Sequence, residues 1–371
     1  MVEHDMKRLM LAIGLSTLLA LAFLPSEAYA ATATISYINV DVSGTLNTTD
    51  FPYAITDDGV NVWMTLNKQG ALVKINKATK AVQGIFDNNA VASGEEFYAV
   101  TPDGSGNLLI TKRDGGQVWK YNIAGNTWTE TCITPSISHS KVTNLDCNLF
   151  RVDENPGSHG LHTYDFGSEG YFSKFVGGSL YIAGSHSFDF DTQAESVGVA
   201  DVVFSGIYKV NPSDLSVTRT SIAGSSNPRG LAADGTILWV ADTSANKVFK
   251  FDTATSTLLA TFSGITQPFG IDASDPSFLF VGQFNAPNIY KISKSDGTVS
   301  KTESTGSGSG GVYNVLVDPS SKAVYWSGSD AAAVGYYVEG TATKEVFTTT
   351  TTSNHFMIKV GSEIWVAGKG S

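Results

Sequence analysis

Charge is scarce in this sequence. Only 16% of residues are Asp, Glu, Lys or Arg, and 24 Lys and Arg face 35 Asp and Glu, for a formal net charge of −11. Clusters of Lys and Arg are missing, and with them the means to neutralise a phosphate backbone, so nucleic acid is excluded as a partner. Cysteine is nearly absent: Cys132 and Cys147 bracket CITPSISHSKVTNLDC and are the only two. Neither belongs to a Cys-x-x-Cys pair, which leaves a structural disulfide as the expectation for an exported chain. Closing a loop of that size stabilises by roughly 3 kcal/mol. After residue 30 there is no long apolar run, so no transmembrane segment is expected in the mature chain. Nor is there a sustained apolar period of 3.6 residues, which argues against helices.

What is present begins with a leader. Lys7 and Arg8 precede the apolar run Leu9 to Leu24, and SEAYA follows with small residues at Ala28 and Ala30. This pattern predicts a secretory signal peptide over residues 1–30, cut after Ala30. The run falls short of the roughly 20 residues that span a bilayer. The expected location is therefore extracytoplasmic: secreted, at the cell surface or in the periplasm. Removing the leader takes away two basic and three acidic residues and leaves the chain acidic. With 42% hydrophobic residues, the remainder has ample material for a core.

A repeat dominates that remainder. PRGLAADGTILWVADTSANKVFKF, from Pro228, has relatives starting at Phe51, Glu96, Gly170, Gln267, Gly311 and Asn354. Each unit runs as a short alternating strand, a Gly/Asp/Pro/Ser turn, a strand such as LWVA, a polar loop, a strand such as VFKF, and a Thr/Val-rich fourth strand. Four antiparallel strands recurring seven times predict an all-β fold, a seven-bladed β-propeller spanning residues 31–371 as a single domain. The last unit, 354–371, holds only two strands, and residues 33–48 are expected to complete it, so that the N-terminal strands close the last blade. Residues 134–169 form an insertion between blades.

The same residues carry a family resemblance. Pro-x-Gly-Leu, Leu-Trp-Val and Ala-Asp-x-x-x-Asn-x-Val in 228–251, echoed by FPYAITDDGVNVWMTLNKQGALVKI and QPFGID, resemble the NHL-repeat and streptogramin-lyase-like propellers. That resemblance covers nearly the whole mature chain and implies the architecture more than an activity, since the group holds lyases, lactonases and pure binding modules. Its lyases depend on histidines at first-strand starts, with Glu and His nearby and a magnesium ion. His355 matches in type and place and would be the proton-transfer residue. No second strand here ends in Glu, and no Glu-x-His occurs in the mature chain.

Within the repeat, Trp63, Trp239 and Trp365 recur at one position and are expected between blades as core. Gly230 and Gly270 allow close backbone approach near the axis. Asp242 and Asn246 are expected to shape a turn. One residue per unit marks the start of the first strand: Tyr53, Tyr98, Tyr171, Arg229, Phe269, Tyr313 and His355. These seven should surround the channel mouth, either packing as a plug or offering aromatic faces and a cation to a planar, sugar-like or weakly acidic ligand. The long loops of the third unit add His159, His162, Asp165, His186, Asp189 and Asp191, donor types that suit a divalent cation. Two functions follow: a monomeric binding module for a small molecule, glycan or extracellular protein, or a metal-dependent lyase or hydrolase.

Overall fold

The computed structural model describes residues 8–11, 17–22, 34–40, 52–66, 70–87, 97–112, 117–132, 164–165, 172–188, 202–306, 310–328, 333–349 and 351–370. Cys147, His159, His162, Tyr171, Asp189 and Asp191 lie outside them, and for Cys132, Asp165 and His186 only the backbone is described. The expected disulfide and most of the 134–169 insertion therefore also lie outside the described residues. Every regular element among those residues is a strand. No helix there is long and apolar enough to cross a membrane.

Six successive stretches, 52–87, 97–132, 173–221, 228–263, 268–304 and 312–348, each fold into four strands paired antiparallel in chain order. These are blades I to VI. Blade III also takes up the two-residue strand Tyr164–Asp165 against the end of Ser179–Phe188.

The expectation of seven four-stranded antiparallel blades is corrected by the remaining sheet. Its order is Thr351–Val360, Glu363–Gly370, Thr17–Ala22, Arg8–Leu11, Thr34–Asn39. It has five strands of mixed direction, because Arg8–Leu11 runs parallel to Thr34–Asn39 and, at Met10 opposite Trp365, to Glu363–Gly370. There are six blades, joined by a closing sheet of a different kind. The strands next to Glu363–Gly370 come from the segment read as leader, while Thr34–Asn39 sits on the outside. The physical reason is that a short apolar run carries no period that separates a strand from a leader, and an open sheet edge accepts whatever strand reaches it.

The first strands of neighbouring blades touch one another, and Thr351–Val360 touches both Val312–Asp318 and Pro52–Asp57. A ring of first strands thus surrounds an axial channel. Between blades the core is made by second-strand aromatics: Trp63, Trp239, Trp326 and Trp365 are fully buried. Pairing register adds a recurrent detail. A third-strand lysine stands directly across from a second-strand aromatic in four blades, as Lys74 to Trp63, Lys209 to Tyr181, Lys250 to Trp239 and Lys291 to Phe280. Each ammonium lies 5.1–5.8 Å from the ring centroid, which caps the inter-blade core with a cation–π contact.

The candidate binding face around the channel mouth

The marker residues share a backbone cause. Pairing between first and second strands slips at Pro52/Ile55, Phe97/Ala99, Pro228/Gly230, Pro268/Ile271, Val312/Asn314 and Asn354/Met357. Tyr53, Tyr98, Arg229, Phe269, Tyr313 and His355 fall inside those slips. A β-bulge leaves its extra residue out of the ladder and re-aims the side chain. One bulge in each of these six first strands therefore gathers these side chains at one end of the channel.

The glycine that follows in blades IV and V permits the crowding. A Cβ on Gly230 would stand 1.8 Å from the Phe269 carbonyl oxygen, and one on Gly270 would stand 2.4 Å from that of Tyr313. The bulge of blade IV thus nests against blade V, and that of blade V against blade VI.

The rings form a nearly continuous belt. Tyr53 stacks on Tyr98 and on His355, both with centroids at 4.3 Å. His355 meets the edge of Tyr313 at 5.7 Å, and Tyr313 packs on Phe269 at 4.8 Å and Phe284 at 5.4 Å. Phe172 spans the axis to Phe269 and to Phe356. Tyr53, Tyr98, Phe172, Phe269 and Phe356 are buried, so most of the belt plugs the channel. Arg229, Tyr313, His355 and Phe284 remain half-buried. Phe172, Phe284 and Phe356 were not singled out from sequence. Their signal lay in aromatic neighbours of the marker positions, as in the doublet His355-Phe356, where both residues fall within one bulge.

Beside the plug, between blades IV and V, a groove of about 540 Å³ opens on the same face. Arg229 lies over Phe284 at 5.2 Å and Phe269 at 5.9 Å, and its Nε donates to Asn227 Oδ1 at 3.2 Å. Asn227, Asn246, Gln267 and Asn285 line the groove with amides, and Thr243, Ser244 and Thr266 add hydroxyls. Among the described residues no carboxylate lines it. The guanidinium is thus held against two rings, in a wall that both donates and accepts hydrogen bonds.

Asp242 and Asn246 hold this groove open. Asp242 is fully buried, and its carboxylate accepts from Ser226 N at 2.8 Å, Asn227 N at 3.0 Å, Ala245 N at 2.8 Å and Ser225 Oγ at 2.6 Å. Asn246, at φ 56°, accepts the Gln267 amide at 2.8 Å with its Oδ1. The pair does shape its own turn, and it also ties that turn to the loops that begin blades IV and V.

Metal chemistry finds less to describe. Among the described residues no three His, Cys, Asp or Glu side chains come together in a set that could hold an ion. The candidates His159, His162, Asp189 and Asp191 lie outside those residues. Backbone register sets Asp165 opposite Ser187 and His186 opposite Phe204.

No protein-family model and no curated relative matches the chain. Among solved structures, virginiamycin B lyase from Staphylococcus aureus is similar over 87% of this chain and 96% of its own, at 14% identity and a TM-score of 0.61. A streptogramin B lyase structure matches over 87% and 95%, at 14% identity and TM-score 0.58. The WD40 propeller domain of Doa1 matches over 87% and 94%, at 10% identity and TM-score 0.55. At these identities the likeness lies in the fold. The chain is a β-propeller whose structural neighbours include the streptogramin B lyases.

Proposed function

We propose that the protein is an extracytoplasmic binding module that engages a polar, hydroxyl-rich ligand, with a glycan as the best fit, in the groove beside Arg229. The observation that carries this reading is the wall itself: a guanidinium fixed over Phe284, four amides and three hydroxyls, with no carboxylate among the described residues. Such a wall can satisfy many hydroxyls at once, and the ring gives a sugar face something to stack on. Export is supported by Lys7, Arg8 and the apolar run that follows, and N-terminal sequencing of the purified protein should return a chain starting at Ala31.

The test is a glycan-array screen of the full-length protein expressed with its leader, followed by titration of the best ligand. Arg229→Ala is expected to weaken binding by about 10- to 100-fold, the loss of a charge-assisted hydrogen bond. Unchanged affinity in Arg229→Ala would remove the groove from the reading. The lyase alternative rests on His355, whose imidazole is stacked on Tyr53. If the protein turned over virginiamycin B and His355→Ala abolished that turnover, the enzyme reading would replace the binding one.

A further inference from the structure

Beyond the aromatic plug the channel widens again. On the far side a chamber of about 560 Å³ is walled by the first strands of blades I, II, III, V and VI and by Thr351–Val360. Phe172 and Phe356 line it as well as the belt, which makes the plug its blind end and leaves the far face as its opening. A cavity of this size suits a small ligand, since such sites run from about 300 to 1,000 Å³ and combine an apolar wall with a few placed polar groups. Ile55, Val100, Ile271 and Val315 supply the apolar wall.

The placed polar groups are found among the charges on that wall, Asp57, Lys174, Asp272, Asp318 and Lys359. Three of these are compensated within the protein, because Asp57 pairs with Lys77 and Asp318 with Lys359, each at 2.7 Å. Lys174 and Asp272 are left. Lys174 stands on the first strand of blade III, exposed at the chamber wall, and enters no ion pair or hydrogen bond among the described residues. Asp272 ends the first strand of blade V, half-buried, and its Oδ1 accepts the Ser274 amide at 2.7 Å. Its charge acts on Lys174 through space, yet the two form no ion pair. A cation and an anion thus line one cavity without meeting, and each keeps hydrogen-bonding capacity for a ligand.

We propose that the chamber binds a small zwitterion, an amino acid with an aliphatic side chain, entering from the far face. Its carboxylate accepts from the Lys174 ammonium, its own ammonium donates to the Asp272 carboxylate, and its side chain packs on the apolar wall. Charge decides the class of ligand. A simple carboxylic acid would satisfy Lys174 but bring a like charge toward Asp272, and a simple amine would do the same to Lys174. Only a ligand with both charges meets each with its opposite. Asn314, on the first strand of blade VI, adds an amide to the same wall. The proposal is independent of the groove beside Arg229, which lies on the opposite side of the plug.

Calorimetric titration of the full-length protein at pH 7 tests it with three probes. They are L-leucine, 4-methylpentanoate, which lacks the ammonium, and 3-methylbutylamine, which lacks the carboxylate. Leucine is expected to bind about 10- to 100-fold more tightly than either, the worth of one charge-assisted hydrogen bond. Lys174→Met should weaken leucine by a similar factor, Lys174→Arg should restore much of the affinity, and Arg229→Ala should leave it unchanged. No leucine binding at millimolar concentration, or equal affinity for the three probes, would overturn the proposal. So would a leucine affinity untouched by Lys174→Met or lost in Arg229→Ala. The three-probe comparison uses the unmodified protein, so it stands even if a variant fails to fold.

Discussion

At the scale of single residues, the repeat spends its distinctive positions on backbone crowding and loop clasping. Gly230 is the sharpest case, because a methyl there would have to occupy the space of the Phe269 carbonyl at 1.8 Å. Gly230→Ala is therefore expected to destabilise by about 2–3 kcal/mol, the range for overpacking that the backbone must absorb, measured as a lower urea midpoint. An unchanged midpoint would mean that the two bulges do not nest. Asp242 makes the complementary case. Its carboxylate satisfies the Ser226, Asn227 and Ala245 amides from two loops, and none of those amides has another described partner in its place. Asp242→Ala should cost about 2–4 kcal/mol, because deleting a buried acceptor strands its donors. It should also weaken ligand binding in the Arg229 groove, since Asn227 orients the guanidinium. Trp239→Phe, which removes a buried indole N–H that has no hydrogen-bond partner among the described residues, should by contrast be tolerated with a loss of only about 1 kcal/mol.

At the scale of elements, the ends of the first strands are tied to one another by charge. Asp318 closes its strand in blade VI, and Lys359 reaches it at 2.7 Å from Thr351–Val360 of the closing sheet. Burial alone would raise the Asp318 pKa, but the Lys359 ammonium and the Ser320 and Ser321 hydroxyls outweigh it and hold the carboxyl at about 2. The folded value is the lower one, so the pair contributes fully above the unfolded value of about 3.9. Its contribution is lost as pH falls from about 4 to about 2. Lys359 is partly exposed, and solvent screening leaves the pair about 1 kcal/mol. Lys359→Met should be less stable than the parent by that amount at pH 7, and the difference should vanish near pH 2, as read from denaturant midpoints at each pH. A difference that persisted at pH 2 would show that Lys359 acts by packing. Strands, turns and the core tryptophans were legible in the sequence, because period-2 alternation and a repeated LWVA-type strand report on local structure. The bulges were not, since a one-residue slip leaves no mark on alternation that one copy of the repeat can show. Only comparing copies put Tyr53, Arg229 and Tyr313 in one register, and Phe172 and Phe356 were hidden beside the residues that register selected. The amide wall was beyond reach, because Asn227, Asn246, Gln267 and Asn285 come from four separate loops.

At the scale of the whole molecule, the ring depends on how its ends meet. Six blades repeat one antiparallel plan, and the strand Glu363–Gly370 is left with an edge that the amino terminus covers through Thr17–Ala22. Cleavage after Ala30 would withdraw that strand and Arg8–Leu11 together, and the remaining N-terminal strand, Thr34–Asn39, is already at the outside of the same sheet. A chain starting at Ala31 is thus expected to keep a cooperative melt, with Thr34–Asn39 free to move two places inward and cover the exposed edge. A chain starting at Phe51 has no strand to offer, and an uncovered edge leaves backbone donors and acceptors unpaired beside the channel. Its melting temperature should fall by about 5–10 °C relative to the chain starting at Ala31, as expected for a few kcal/mol in a domain of this size. It should also associate in a concentration-dependent way by sedimentation. Equal melting temperatures for the two truncated chains would show that the ring closes through Thr351–Val360 and its contacts with Pro52–Asp57 alone, and that the amino terminus contributes nothing to the fold.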